Sequence, residues 1–156
     1  MRPIGANVMQ FVHEITAFLE NKPGRLAKIC SALAHNKVDL RALSVMDVNG
    51  RSVLRLVTDQ IEATKKVLTS LGTEHATSEV LSVEMEDRPG ALAKVLEQLA
   101  EDHINIEYAY LAASSLPGRS TGIFHTSNPK KALQVLSESP GNGAGHSPQR
   151  RPLHSR

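Results

Sequence analysis

Aromatic residues make up 3% of the sequence, and tryptophan is absent. A core must therefore be built from Leu, Val, Ile and Ala, and a base-stacking platform of the kind that reads RNA is short of material. Cys30 is the only cysteine; one thiol closes no intrachain disulfide, which points to a reducing compartment and a cytoplasmic location. No apolar run approaches the length of a membrane span, and the opening MRPIGANVMQFVHE has no secretory apolar region. Strong charge of either sign is missing too. The formal net charge is +2, but Arg150, Arg151 and Arg156 lie where no acid occurs, and without them 15 basic residues (18 − 3) face 16 acidic ones. That balance excludes a basic nucleic-acid binder. Patterns for a nucleophile elbow, a zincin, a CxxC pair or a phosphate loop are lacking. The seven histidines are scattered, and Cys30 sits among the apolar positions of an amphipathic stretch, so neither a metal nor a thiol nucleophile is expected.

What is present is a repeat. ENKPGRLAKICSALAHNKVDLRAL (20–43) aligns without gaps over EDRPGALAKVLEQLAEDHINIEYA (86–109), with identities at 8 of 24 positions and an offset of 66 residues (86 − 20). An internal duplication explains this better than composition does. Each copy opens with a short-period stretch, 12–20 and 79–87, which predicts a strand. Pro23-Gly24 and Pro89-Gly90 follow, the prolines suiting a helix's first turn and the glycines leaving the backbone open to approach. Leu26, Ile29, Cys30 and Leu33, matched by Leu92, Val95, Leu96 and Leu99, are spaced as one helical face.

Second strands are expected over 38–48 and 104–113, third strands over 51–59 and 121–126, and second helices over 61–71 and 128–136. Asn49-Gly50 marks a tight hairpin, and a last strand over 74–80 runs almost straight into the second copy. The fold class is α+β: two ferredoxin-like βαββαβ sandwiches in tandem, antiparallel sheets with helices on one face, spanning 11–78 and 79–138. The residues from 139 to 156, rich in Gly, Pro, Ser and Arg, are expected to be disordered. The second unit then lacks its last strand, and its first strand is expected to have an open edge that invites another chain.

The twice-written elbow is where chemistry concentrates. Asn21 and Asp87 place a short polar side chain ahead of a helix N-terminus whose free N–H groups favour a carboxylate, while the Asn or Asp can accept from an ammonium group. Asp39 and Asn105 occupy matching positions at the start of the second strands. The bland account is that Asn21 and Asp87 cap the helices.

With N-x-P-G-x-L-A-K-x-x-x-x-L-A followed by V-D-L or I-N-I, residues 11–137 resemble the ACT domain, a small βαββαβ ligand-sensing unit that regulates amino-acid metabolism, here as a tandem pair without a catalytic domain. The resemblance implies ligand sites at Asn21, Pro23, Gly24, Arg25, Leu26 and Asp39 in the first unit. In the second it implies Asp87, Pro89, Gly90, Ala91, Leu92 and Asn105. It implies no cofactor, no enzymatic activity, a small amino acid as ligand, pairing into a homodimer, and a biosynthetic enzyme as partner. The histidine of serine-sensing members is replaced by Leu19 and Met85, so the likeness does not extend to serine. The alternative is a ligand-independent subunit that contacts an enzyme through a sheet edge.

Overall fold

The computed structural model describes residues 7–138; the tail expected from 139 to 156 lies outside them. In chain order the elements are β1 (Val8–Glu20), α1 (Arg25–His35), β2 (Ala42–Val48), β3 (Arg51–Val57), α2 (Ile61–Ser70), β4 (Glu74–Glu86), α3 (Ala91–Glu101), β5 (Ile106–Ala113), β6 (Arg119–Thr126) and α4 (Pro129–Glu138). Asn49 and Gly50 both take positive φ, as the β2–β3 hairpin requires. Asn128 accepts the Lys131 N–H at 3.1 Å and starts α4. Lys37 and His103, 66 residues apart, both leave their helices at φ 56, so the duplication extends to the helix ends.

The six strands form one antiparallel sheet in the order β2-β3-β1-β4-β6-β5. Odd-numbered residues of β1 face the helices throughout. Ile15, Ala17 and Leu19 pack with Ile29, Leu33, Leu54 and Leu68 in the first core, while Met9 and Phe11 pack with Leu81, Val83, Val95 and Leu99 in the second. Gly122 is buried on this face of β6. A Cβ there would stand 2.5 Å from the Phe124 ring and 2.8 Å from Met85, both of which are core side chains. Gly122→Val is therefore expected to destabilise by about 1–3 kcal/mol through overpacking, measured by urea unfolding.

Several strand expectations need correction. β1 begins at Val8, four residues before the expected start, β2 begins at Ala42, four residues after it, and β4 is one continuous strand where two successive ones were read. The edge of β4 is not open. Val8–Phe18 of β1 pairs with it from Glu84 back to Glu74, so the first residues of β1 occupy the place of the strand that unit 2 lacks. The physical reason is reciprocal need: β4 offers an unpaired edge over an apolar face, and Met9 and Phe11 supply the matching side chains. In this register His13 lies opposite Glu79, and 79 − 13 is again 66. The pairing therefore maps onto itself under the repeat, and a pseudo-two-fold axis passes between these residues.

The face away from the helices is not flat. The sheet rolls until its edge strands β2 and β5 come into contact. Val12, Ala42, Val57, Val80, Tyr110, Ala112 and Ile123, drawn from all six strands, pack into a third core inside the roll.

Candidate functional site

The elbows are built alike. Gly24 and Gly90 precede α1 and α3 in the left-handed region, at φ 84 and 88, which a side-chain-bearing residue adopts only with strain. The helices begin at Arg25 and Ala91, so Pro23 and Pro89 lie in the turn before the helix and not in its first turn. No side chain caps either helix, which removes the capping account of Asn21 and Asp87. Asn21 instead donates from Nδ2 to Asp47 Oδ1 at 3.1 Å, at the β2–β3 hairpin. Arg25 N–H returns to Lys22 O and Lys28 N–H to Gly24 O, with the same pattern at Ala91 and Lys94. The amides of Leu26 and Ala27, and of Leu92 and Ala93, are left without a partner among the described residues. Asn21 to Arg25 and Asp87 to Gly90 are exposed, and nothing lies within 4 Å of a Cβ built on either glycine. Both elbows are thus uncovered. Beside them, the Lys22 hydrogen bond holds the Glu20 carboxyl below its ordinary range, and Arg88 does the same for Glu86.

The elbows do not face each other within one chain. They terminate antiparallel strands and stand at opposite ends of the sheet, about 50 Å apart along the strands at ~3.3 Å per residue. Asp39 and Asn105 precede their strands by three residues and one, and lie beyond the far ends of α1 and α3 from their own elbows. The register puts Asp39 toward the end of the sheet that holds Asp87, and Asn105 toward the end that holds Asn21. Main-chain bonds anchor both: Asp39 O accepts from Thr58 Oγ1 at 2.7 Å, and Asn105 N–H donates to Ser127 Oγ at 3.2 Å. Arg25 lines a shallow recess with Leu19, Lys28 and the Gly72 turn.

Two features inside the roll were not singled out in the sequence. The first is a cleft of roughly 450 Å³ at one mouth of the roll. Its floor is apolar, from Val8, Val12, Ala42, Val57 and Ile123. One wall is Asp39, Arg41 and Asp59 of unit 1, and the other is Glu84 and Ser114 of unit 2. Arg41 is tied to Asp59 at 3.2 Å, and Ser114 donates to Glu84.

The second is a polar cluster at the other mouth. Glu14 is wholly buried and accepts hydrogen bonds from the Tyr108 hydroxyl and, at 2.6 Å, from the Tyr110 hydroxyl. The Arg55 guanidinium lies 3.8 Å over the Tyr108 ring, and its Nε is 4.0 Å from Glu14. The other side of Tyr108 stacks on His125, whose Nδ1 is 2.6 Å from Glu107. Burial, then the Glu14 hydrogen bond and charge, push the Tyr108 hydroxyl from 10.0 up to about 12, and the same causes push Tyr110 upward.

These are the only two tyrosines in the chain. The ultraviolet absorbance of tyrosinate therefore reads this cluster alone. The folded protein is expected to ionise about 2 pH units later than the denatured chain at Tyr108. A tyrosine with a raised folded pKa contributes stability that is complete below the unfolded value near 10 and is lost as pH rises toward 12. Stability should fall through that window, and Tyr108→Phe should flatten the fall.

Two βαββα units that share one sheet, each with a Pro-Gly elbow ahead of its first helix, define a fused pair of ferredoxin-like modules. Residues 10–140 match a family profile described as an ACT domain pair, and the chain belongs to that family. The crystal structure of a protein from Bacteroides thetaiotaomicron is similar, with 29% identity and a TM-score of 0.76 over 83% of this chain and 89% of that one. The ligand-free regulatory subunit of aspartate kinase from Thermus thermophilus shares the fold at 19% identity, with a TM-score of 0.61 over 85% and 95% of the two chains. Aspartokinase from Corynebacterium glutamicum is 30% identical over 83 residues, 51% of this chain and 20% of that protein, so the match spans about a fifth of that relative's length. No helix among the described residues is long and apolar enough to cross a membrane.

Proposed function

We propose that this protein binds a small amino acid at its elbows and regulates an enzyme of amino-acid metabolism, without itself catalysing a reaction. The observation that carries the reading is the uncovered elbow, present twice, with unclaimed amides and a left-handed glycine at the head of an amphipathic helix. The ligand carboxylate meets the amides beyond Pro23-Gly24 in one unit and Pro89-Gly90 in the other, where the helix dipole favours it. Asn21 or Asp87 receives the ammonium group. Ligand held across units biases their relative position, and that bias is what a partner reads. The similarity to regulatory portions of aspartate kinases favours a biosynthetic kinase as the kind of enzyme regulated. Isothermal titration and thermal shift against the twenty amino acids test this. Binding by at least one, weakened by both Asn21→Ala and Asp87→Ala, is the expected result; no response to any of them overturns it.

A second reading keeps the regulatory role and drops the ligand. Edge strand β2 leaves Leu43, Val45, Met46 and Val48 between 40% and 50% exposed, and on its outer side it pairs with no strand among the described residues. A second copy or an enzyme can add a strand there. Light scattering that reports a dimer in the absence of ligand, broken by Val45→Glu, would favour it.

A further inference from the structure

The pseudo-two-fold axis relates the two mouths of the rolled sheet, and the strand registers fix which residues correspond. Tyr108 matches Ala42 and His125 matches Val57, since Tyr108 pairs with His125 just as Ala42 pairs with Val57. Arg55 matches Ile123, because Thr16 pairs with Arg55 and Ser82, its counterpart by the repeat offset, pairs with Ile123. At the second mouth these positions hold a flat ring among planar groups. The Tyr108 ring stacks on His125 with centroids 4.8 Å apart and planes 14° apart, and the Arg55 guanidinium lies 3.8 Å from its centre. At the first mouth the counterparts are Ala42, Val57 and Ile123. They supply no ring, and all three line the open cleft.

What the first mouth lacks is therefore an aromatic ring, and what it has suits one. Ala42, Val57 and Ile123 are buried, and Val8 and Val12 of β1 complete an apolar floor. Ser82 and Thr121 add two hydroxyls to the wall. The charged rim selects no ion: Arg41 is tied to Asp59 at 3.2 Å, Ser114 donates to Glu84, and Asp39 is exposed to water. We infer that the open mouth binds one uncharged aromatic molecule per chain, of one ring or two fused rings. The ring lies on the apolar floor, in the place that Tyr108 fills at the other mouth, and its hydroxyl or N–H meets Ser82 or Thr121. A flat apolar ring gains by leaving water, and roughly 450 Å³ is within the range of small-molecule sites. The proposal does not depend on the elbows, because such a molecule has no carboxylate to offer them.

The test is fluorescence titration of the full chain into indole. The protein has no tryptophan, so indole emission is read without an indole background from the chain. Expected is a blue shift that saturates at one indole per chain and is reversed by phenol. Cyclohexanol, which keeps the hydroxyl but has no flat ring, should displace indole roughly tenfold less well than phenol does. Ala42→Tyr, which installs the filled mouth's own plug, should abolish the shift, and Asn21→Ala should leave it unchanged. If Ala42→Tyr does not fold, Ser82→Phe, at a half-buried position on the cleft wall, carries the decision by the same loss. The inference is overturned by no shift at millimolar indole, by more than one indole per chain, or by a shift that survives these plugging substitutions. Displacement by cyclohexanol as readily as by phenol would overturn the choice of an aromatic ligand. Loss of the shift in Asn21→Ala would put the ring at the elbow and overturn the site.

Discussion

Glu14→Ala is expected to lower the free energy of unfolding by about 3–5 kcal/mol, a large share of the ~5–15 kcal/mol that holds a domain of this size. Glu14 is a buried acid at one mouth of the roll, and three side chains have organised around it. Its loss strands the Tyr108 and Tyr110 hydroxyls without an acceptor, at about 1–3 kcal/mol for each buried donor left unpaired. It also leaves the Arg55 guanidinium, whose side chain is 16% exposed, without its countercharge. Chemical denaturation of wild type and variant reads the difference. If the cluster is the cause, the quadruple variant Glu14→Leu, Tyr108→Phe, Tyr110→Phe, Arg55→Met should recover much of the loss, because apolar groups of similar size then replace the acid, both hydroxyls and the cation together. A change within ~1 kcal/mol for Glu14→Ala alone would show that water reaches the cluster and that the pairing contributes little.

A chain that begins at His13 is expected to lose cooperative folding of its second half, or to regain it only by association. Removal of Val8 to Val12 strips β4 of the partner opposite Glu84 through Val80 and exposes a row of backbone donors and acceptors. It also takes Met9 and Phe11 from the core that holds Leu81, Val83 and Val95. Two such side chains contribute about 1.5–3 kcal/mol each when buried, before the lost ladder is counted. Size-exclusion chromatography with light scattering and a urea melt distinguish the outcomes. Oligomers or an early partial transition would support the account, and an unchanged monomer with an unchanged midpoint would refute it.

The parts of this fold that were legible in the sequence are those set by short-range period. Ile29 and Leu33, like Val95 and Leu99, are buried where a 3.6-residue spacing put them. The Asn49-Gly50 hairpin, the Asn128-Pro129 helix start and the tandem α+β architecture were readable for the same reason. The pairing of β1 with β4 was not, because it joins residues about 66 apart in register, and the opening NVMQF does not alternate clearly. A strand's partner is a property of the whole chain, whereas its period is local.

Much the same holds for the site. The elbows announced themselves by repetition. Glu14 fell in a stretch read only as a short-period strand, and its partners stand 94 and 96 residues away. One signal was available: the only two tyrosines of an aromatic-poor chain fall two residues apart, on one face of a strand, in a copy whose counterpart carries Ala42 and Ser44. The cleft could not be read at all, since it exists only because the sheet rolls.

The self-matching register of β1 and β4 also speaks to ancestry. A polypeptide that held a single repeat would present, on its leading strand, both the edge that needs covering and the segment that can cover it. Two such molecules would pair their leading strands antiparallel about a true two-fold axis, to a degree set by how many were present in the cell. Joining the gene copies through what is now the uninterrupted β4 replaces that dilution-sensitive encounter with a permanent tether. Once the halves no longer had to be identical, one end of the assembly was free to fill with tyrosine and histidine while the other stayed open.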